Sequence, residues 1–164
     1  MNAPQIHLMM NHVPVIGVLF VVFALGVGLI SRSGAILRFA LTALIVVALA
    51  AIPAFLSGEP TEEAVEDLAG VSSKSIEPHE EAAKVAFIGL EVLGLVALVG
   101  LLRSRGRAVA QRFAGLVLVG SLALSGGLAW TAHLGGRIRH PELGGGTTVT
   151  AETAPAETEQ GDDD

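Results

Sequence analysis

Phe39–Leu56 reads FALTALIVVALAAIPAFL, eighteen consecutive residues without a charge. A helix rises about 1.5 Å per residue and the hydrocarbon core of a bilayer is about 30 Å thick, so this stretch is close to one crossing. Its apolar residues do not alternate with polar ones, which argues for a helix and against a barrel strand. Pro53 falls near its end, where the missing N–H bends or finishes a helix. Three more stretches are apolar and of span length: Val13–Ser31, Ala82–Leu102, which carries Lys84 and Glu91, and Phe113–Ala132. The pattern predicts an all-α polytopic membrane protein, a four-transmembrane-helix bundle over residues 1–143. The remainder, 144–164, reads GGGTTVTAETAPAETEQGDDD. It has too few apolar groups to bury a core and is expected to be a disordered acidic tail.

Composition agrees with a bilayer as the first partner. Hydrophobic residues make up 51% of the chain and charged residues 16%, against roughly 25% charged in ordinary soluble domains. The absence of Cys excludes disulfides, thiolate-bound zinc, ordinary iron–sulfur clusters and covalently attached c-type haem. The few Arg residues form no stripe beside aromatics, so nucleic acid is not an expected partner. There is no phosphate-binding Gly loop, no Ser/His/Asp set and no zinc-protease helix motif, and whether the chain is an enzyme stays open. The leader MNAPQIH has no Lys or Arg, and no small-residue cleavage site precedes a soluble domain, so the first span is expected to be retained.

Charge sets the expected orientation. SRSGAILR carries Arg32 and Arg38, and RSRGRAVAQR carries Arg103, Arg105, Arg107 and Arg112, with no acid in either. The middle loop, SGEPTEEAVEDLAGVSSKSIEPHEEAAK, is crowded with Glu and Asp and holds only Lys74 and Lys84. The positive-inside rule places both Arg loops in the cytoplasm, and both termini and the middle loop outside the inner (cytoplasmic) membrane.

On that topology all five His lie on the outer side. His7 and His12 precede the first span, His79 precedes the third, His133 ends the fourth and His140 follows it. Convergence of distant imidazoles on one face is what a ligand site on a helix bundle needs. Glu59, Glu80, Glu81 and Glu142 stand near them in sequence and are suited to orienting imidazoles. Without thiolates, such donors suit haem iron through axial His, or copper, zinc or non-haem iron. His7 and His12 are five residues apart, about 140° on a helix, and should not share a face. His12 is the first choice of ligand, with Asn11 as expected N-cap and Pro14 in the first turn. His133 is its expected partner across the bundle, followed by His79 and His7.

Glu91 lies deep in the third span, where a carboxylate is expensive and should turn inward. It is expected to relay protons, to bond a ligand, or to hydrogen-bond Thr42, Ser121 or Ser125. Arg137 and Arg139 are candidates to clamp an anion such as a haem propionate, or to pair with the acidic loop. Trp130 reads as an interfacial anchor, and the glycines on the spans as packing positions.

HLMMNHVP before the first helix, HEEA before the third and AHLGG after the fourth resemble a bacterial four-helix membrane family, domain of unknown function 2231. The likeness covers roughly Ile6 to Glu142 and marks His7, His12, Pro14, His79 and His133. Leu8 and Val13 depart from the Pro and the aromatic often found there. Relatives of this type are sometimes fused to cytochrome c or Rieske-like domains, so the resemblance implies a redox setting and raises haem above zinc. The expectation is therefore a membrane protein that binds haem b or a redox metal. It would pass electrons to an external partner such as a c-type cytochrome, with Glu91, Glu80 and Arg137 as accessory groups. The alternative is a non-redox metal-handling or transport protein, or a structural subunit of a membrane complex or homo-oligomer.

Overall fold

The computed structural model describes residues 2–65 and 73–139; His140, Glu142 and the expected tail over 144–164 lie outside the described residues. Six helices are seen among them and no strand: α1 (Ala3–Met10), α2 (His12–Ile30), α3 (Gly34–Leu56), α4 (Gly58–Val65), α5 (Ser73–Arg103) and α6 (Gln111–Arg139). Four helical stretches are long and apolar enough to cross a membrane: Ala3–Ile30, Gly34–Ala64, Ile76–Arg103 and Gln111–Ile138.

Helices α2, α3, α5 and α6 pack in a closed ring, each against the next, leaving α3 and α6 on a diagonal. The chain runs up, down, up and down, so ring neighbours are antiparallel. Each helix turns one seam inward. On α2 the buried residues Pro14, Val18, Val21, Leu25 and Gly28 recur at alternating steps of four and three. Ala114, Val117, Ser121, Leu124 and Leu128 do the same on α6. This heptad spacing keeps a nearly straight helix facing the same neighbours along its length. The outer faces are apolar too, with Ile16, Phe23, Ile30, Val85 and Leu116 all exposed. A surface that is apolar outside as well as inside is solvated by lipid chains rather than water.

The helices overrun the apolar spans read from sequence. Helix α5 begins before Ala82 and α6 continues past Ala132, because backbone hydrogen bonds need no apolar side chains to propagate. The N-terminus differs more. Asn11 is not an N-cap: its backbone is αR, its side chain caps nothing, and its N–H bonds to His7 O at 2.9 Å. The cap lies earlier. Asn2 Oδ1 accepts from Gln5 N at 3.1 Å, and Gln5 Oε1 accepts from Asn2 N at 3.2 Å, a reciprocal capping box. His7 thus sits in a helix, with the break at Asn11 three residues ahead of Pro14, whose ring nitrogen offers no hydrogen.

At the opposite end Arg38 ties the two hairpins together. From α3 its guanidinium Nη2 donates to Ser104 O at 2.6 Å and also to Arg107 O, carbonyls in the α5–α6 connection. The charge-assisted bond to Ser104 O, next to the last residue of α5, complements that helix's negative pole. Arg38→Met is expected to lower stability by about 2–3 kcal/mol, and Arg38→Lys to recover little of it, because one ammonium cannot reproduce the guanidinium fork. Thermal melts in detergent, with amide exchange over residues 104–110, check both. Unchanged exchange there would refute the clamp.

Candidate functional site

The described His residues gather at the end of the bundle opposite the two Arg-bearing connections at 31–38 and 103–112, a consequence of the up-and-down topology. The heptad register decides which of them face inward. Continued back from Pro14 at steps of three and four, the α2 seam meets Asn11 and then His7. On α5, Ile76, Ala86, Leu90 and Ala97 are buried, and His79 and Ala83 fill the register between the first two. On α6 the seam continues from Leu128 to Thr131 and Gly135. His7, Asn11, His79, Ala83, Thr131 and Gly135 line an open cavity of about 350 Å³ whose apolar wall includes Val15, Ala51, Phe55, Phe87, Leu90 and Leu128. Phe55 and Phe87 stack with ring centroids 4.2 Å apart, joining α3 to α5 along that wall.

Two imidazoles in this cavity are anchored alike. His7 Nδ1 lies 3.0 Å from Ala54 O on α3, and His79 Nδ1 lies 3.0 Å from Thr131 O on α6. A carbonyl only accepts, so each Nδ1 carries the proton and each Nε2 keeps its lone pair. Ser57 Oγ, 3.5 Å from His7 Nδ1, itself donates to Ala54 O at 3.1 Å. The two anchors thus lie on diagonally placed helices. An imidazole with Nδ1–H bonded to a main-chain carbonyl has a fixed ring and a more basic Nε2, the usual preparation of a metal-ligating His.

His7 and His79 also line a second cavity of about 410 Å³, which opens toward Glu59, Glu62, Glu80 and Lys84. The pair therefore stands between an apolar chamber and an acidic rim. Glu80 is spent on an exposed ion pair with Lys84 at 2.7 Å, which contributes little to stability. Asn11 supplies a further mark. Its Oδ1 is buried in the wall of the inner cavity with no donor among the described residues, and a buried acceptor is ordinarily satisfied.

The other expected ligands are placed differently. His12 lies at the cavity edge, exposed, with Nδ1 3.3 Å from Leu8 O of its own helix. His133 is exposed on the outer face of α6, its ring 5.6 Å from that of Trp130, and does not line the cavity. The structure brings together His7 and His79 rather than His12 and His133. No three His, Asp or Glu side chains among the described residues form a metal-ion ligand set. Arg137 is half-buried near the end of α6 and lines neither His cavity.

Glu91 shares the α5 face of Phe87 and Gly94, which pack on α3. Its Oε1 is buried without a partner among the described residues. The hydroxyls expected to meet it do not: Thr42 donates to Arg38 O and Ser125 to Ser121 O, while Ser121 Oγ is buried and unpartnered among the described residues.

Fold and site together define a class: an all-α four-helix bundle of membrane-crossing length with a cavity at one end lined by His7, His12 and His79. No family model matches the chain, and neither a curated protein nor a solved structure does. The likeness to the four-helix family rests on the motifs quoted above.

Proposed function

We infer that this is an electron-transfer protein of the inner membrane that holds a b-type haem between His7 and His79. One observation carries the reading. Two imidazoles from separate halves of the chain, each held through Nδ1–H by a main-chain carbonyl, line one apolar-walled cavity, and with Nδ1 engaged Nε2 is the atom left to each ring for a ligand. Two neutral imidazoles are the axial ligand set of a haem. A bare zinc or non-haem iron ion asks for three or more protein donors, and the described residues offer no such set. When bound, the haem supplies one-electron chemistry, and the chain's own part is to orient the imidazoles and exclude water. The unpartnered Asn11 Oδ1 suits a hydrogen-bond donor brought by the guest. With the Arg end inward by the positive-inside rule, the cavity opens to the outside, where an external cytochrome would exchange electrons through the acidic rim.

An absorbance spectrum with metal analysis of the detergent-purified full chain tests this. The expected result is a Soret band with one iron per chain. A colourless protein carrying stoichiometric zinc or copper would move the reading to metal handling. A colourless protein that takes up neither metal nor added haemin would leave a structural subunit.

A further inference from the structure

The end of the bundle away from the imidazoles carries a second feature that the proposed function does not use. A groove of about 530 Å³ runs between α5 and α6, lined by Leu95, Val96, Val99 and Phe113 and closed at its loop end by Arg103 and Arg107. Gly100 forms part of its floor, with the Phe113 ring occupying the place a side chain there would take. We propose that this groove binds an anionic phospholipid, with an acyl chain along α5 and the phosphate between the two guanidinium groups.

Three observations single out that occupant. From Leu95 to Arg103 the groove follows eight residues of helix, about 12 Å, which accommodates most of one acyl chain. Charge supplies the sign. Arg103, Arg105, Arg107 and Arg112 cluster here, and the sequence holds no Asp or Glu between Glu91 and Glu142. The ion pair seen among the described residues is at the other end, Lys84 with Glu80, so no carboxylate of the described residues competes for these guanidiniums. Position supplies the third. The connection that bears Arg107 is held by the Arg38 bonds to Ser104 and Arg107 carbonyls, so the headgroup contacts belong to a fixed loop. An apolar furrow ending in paired Arg at the membrane boundary is the usual form of a basic lipid-headgroup pocket.

Native mass spectrometry of the full chain in neutral detergent, titrated with phosphatidylglycerol or phosphatidylcholine of identical chains, tests the assignment. Each Arg near a headgroup contributes about fivefold, so phosphatidylglycerol is expected to bind roughly 30-fold tighter. Arg103→Gln and Arg107→Gln should each remove about fivefold, and the double variant nearly all of the preference. Val99→Trp, which fills the furrow, should weaken both lipids alike. Arg32→Gln removes a charge at the same end but outside the groove and should leave the preference intact. Equal binding of the two lipids would overturn the proposal, as would a preference that survives both single Arg substitutions. Full displacement of phosphatidylglycerol by millimolar inorganic phosphate would also overturn it, assigning the pocket to a free anion.

Discussion

Purified His79→Ala and His7→Ala proteins are each expected to lose the Soret band, while His133→Ala keeps it. The expectation follows from placement. His7 and His79 line the cavity, whereas His133 does not and has its ring 5.6 Å from that of Trp130. On the proposed function, loss of either imidazole would remove one iron ligand, so any retained haem would shift to a high-spin spectrum. Far-UV circular dichroism should show the helices intact in every variant, which separates lost ligation from lost folding. Two glycine substitutions sharpen the test. A Cβ at Gly135 would stand 3.0 Å from His79 Cε1 and 3.2 Å from its Nδ1, so Gly135→Ala should push the ring off the Thr131 carbonyl and shift the band. A Cβ at Gly58 would lie 3.8 Å from His7 Cε1, ordinary contact, and Gly58→Ala should change nothing. A band that persists in His7→Ala and His79→Ala but vanishes in His133→Ala would reverse the assignment.

Gly94→Leu is expected to cost about 3 kcal/mol or more, as overpacking does where the backbone must move. A Cβ on Gly94 would stand 2.7 Å from Ala48 Cβ, well inside the roughly 3.5–4.0 Å of favourable carbon contact. Ala48 has no rotamer with which to yield, so α3 and α5 must separate. Even Gly94→Ala should destabilise, although alanine is the better helix former by about 1 kcal/mol. The exchanged pair Ala48→Gly with Gly94→Ala keeps composition and helix propensity constant and should melt near the parent. Additive effects in that cycle would show that the two residues do not meet.

The sequence spells out the bundle because lipid demands it: an uninterrupted apolar run of span length has few other places to go. Helix ends were harder to read, since the polar extensions of α5 and α6 carry no hydropathy signal. Helix α1 did have one, in Asn2 and Gln5 at capping-box spacing, but it precedes no apolar run. The site was legible in outline, as imidazoles gathered at one end. Which of them turn inward depends on helix rotation, and nearness to a helix start or end does not report that. The steps of three and four did carry the information. Projecting Val18 and Pro14 back reaches His7, not His12, and projecting Leu124 and Leu128 forward reaches Thr131 and Gly135, not His133. The carbonyl anchors on Ala54 and Thr131 had no sequence signal, since every residue has a carbonyl.

Each half of the chain brings one imidazole together with the backbone oxygen that holds it: His7 with Ala54 in the first, His79 with Thr131 in the second. Neither half alone owns a complete grip. On the proposed function, the guest acts as a rivet between two preformed hairpins, and its capture becomes a checkpoint for their docking. Since only the docked form binds it, occupancy would add to stability by mass action, and chains starved of the guest would come apart first along the line between the halves.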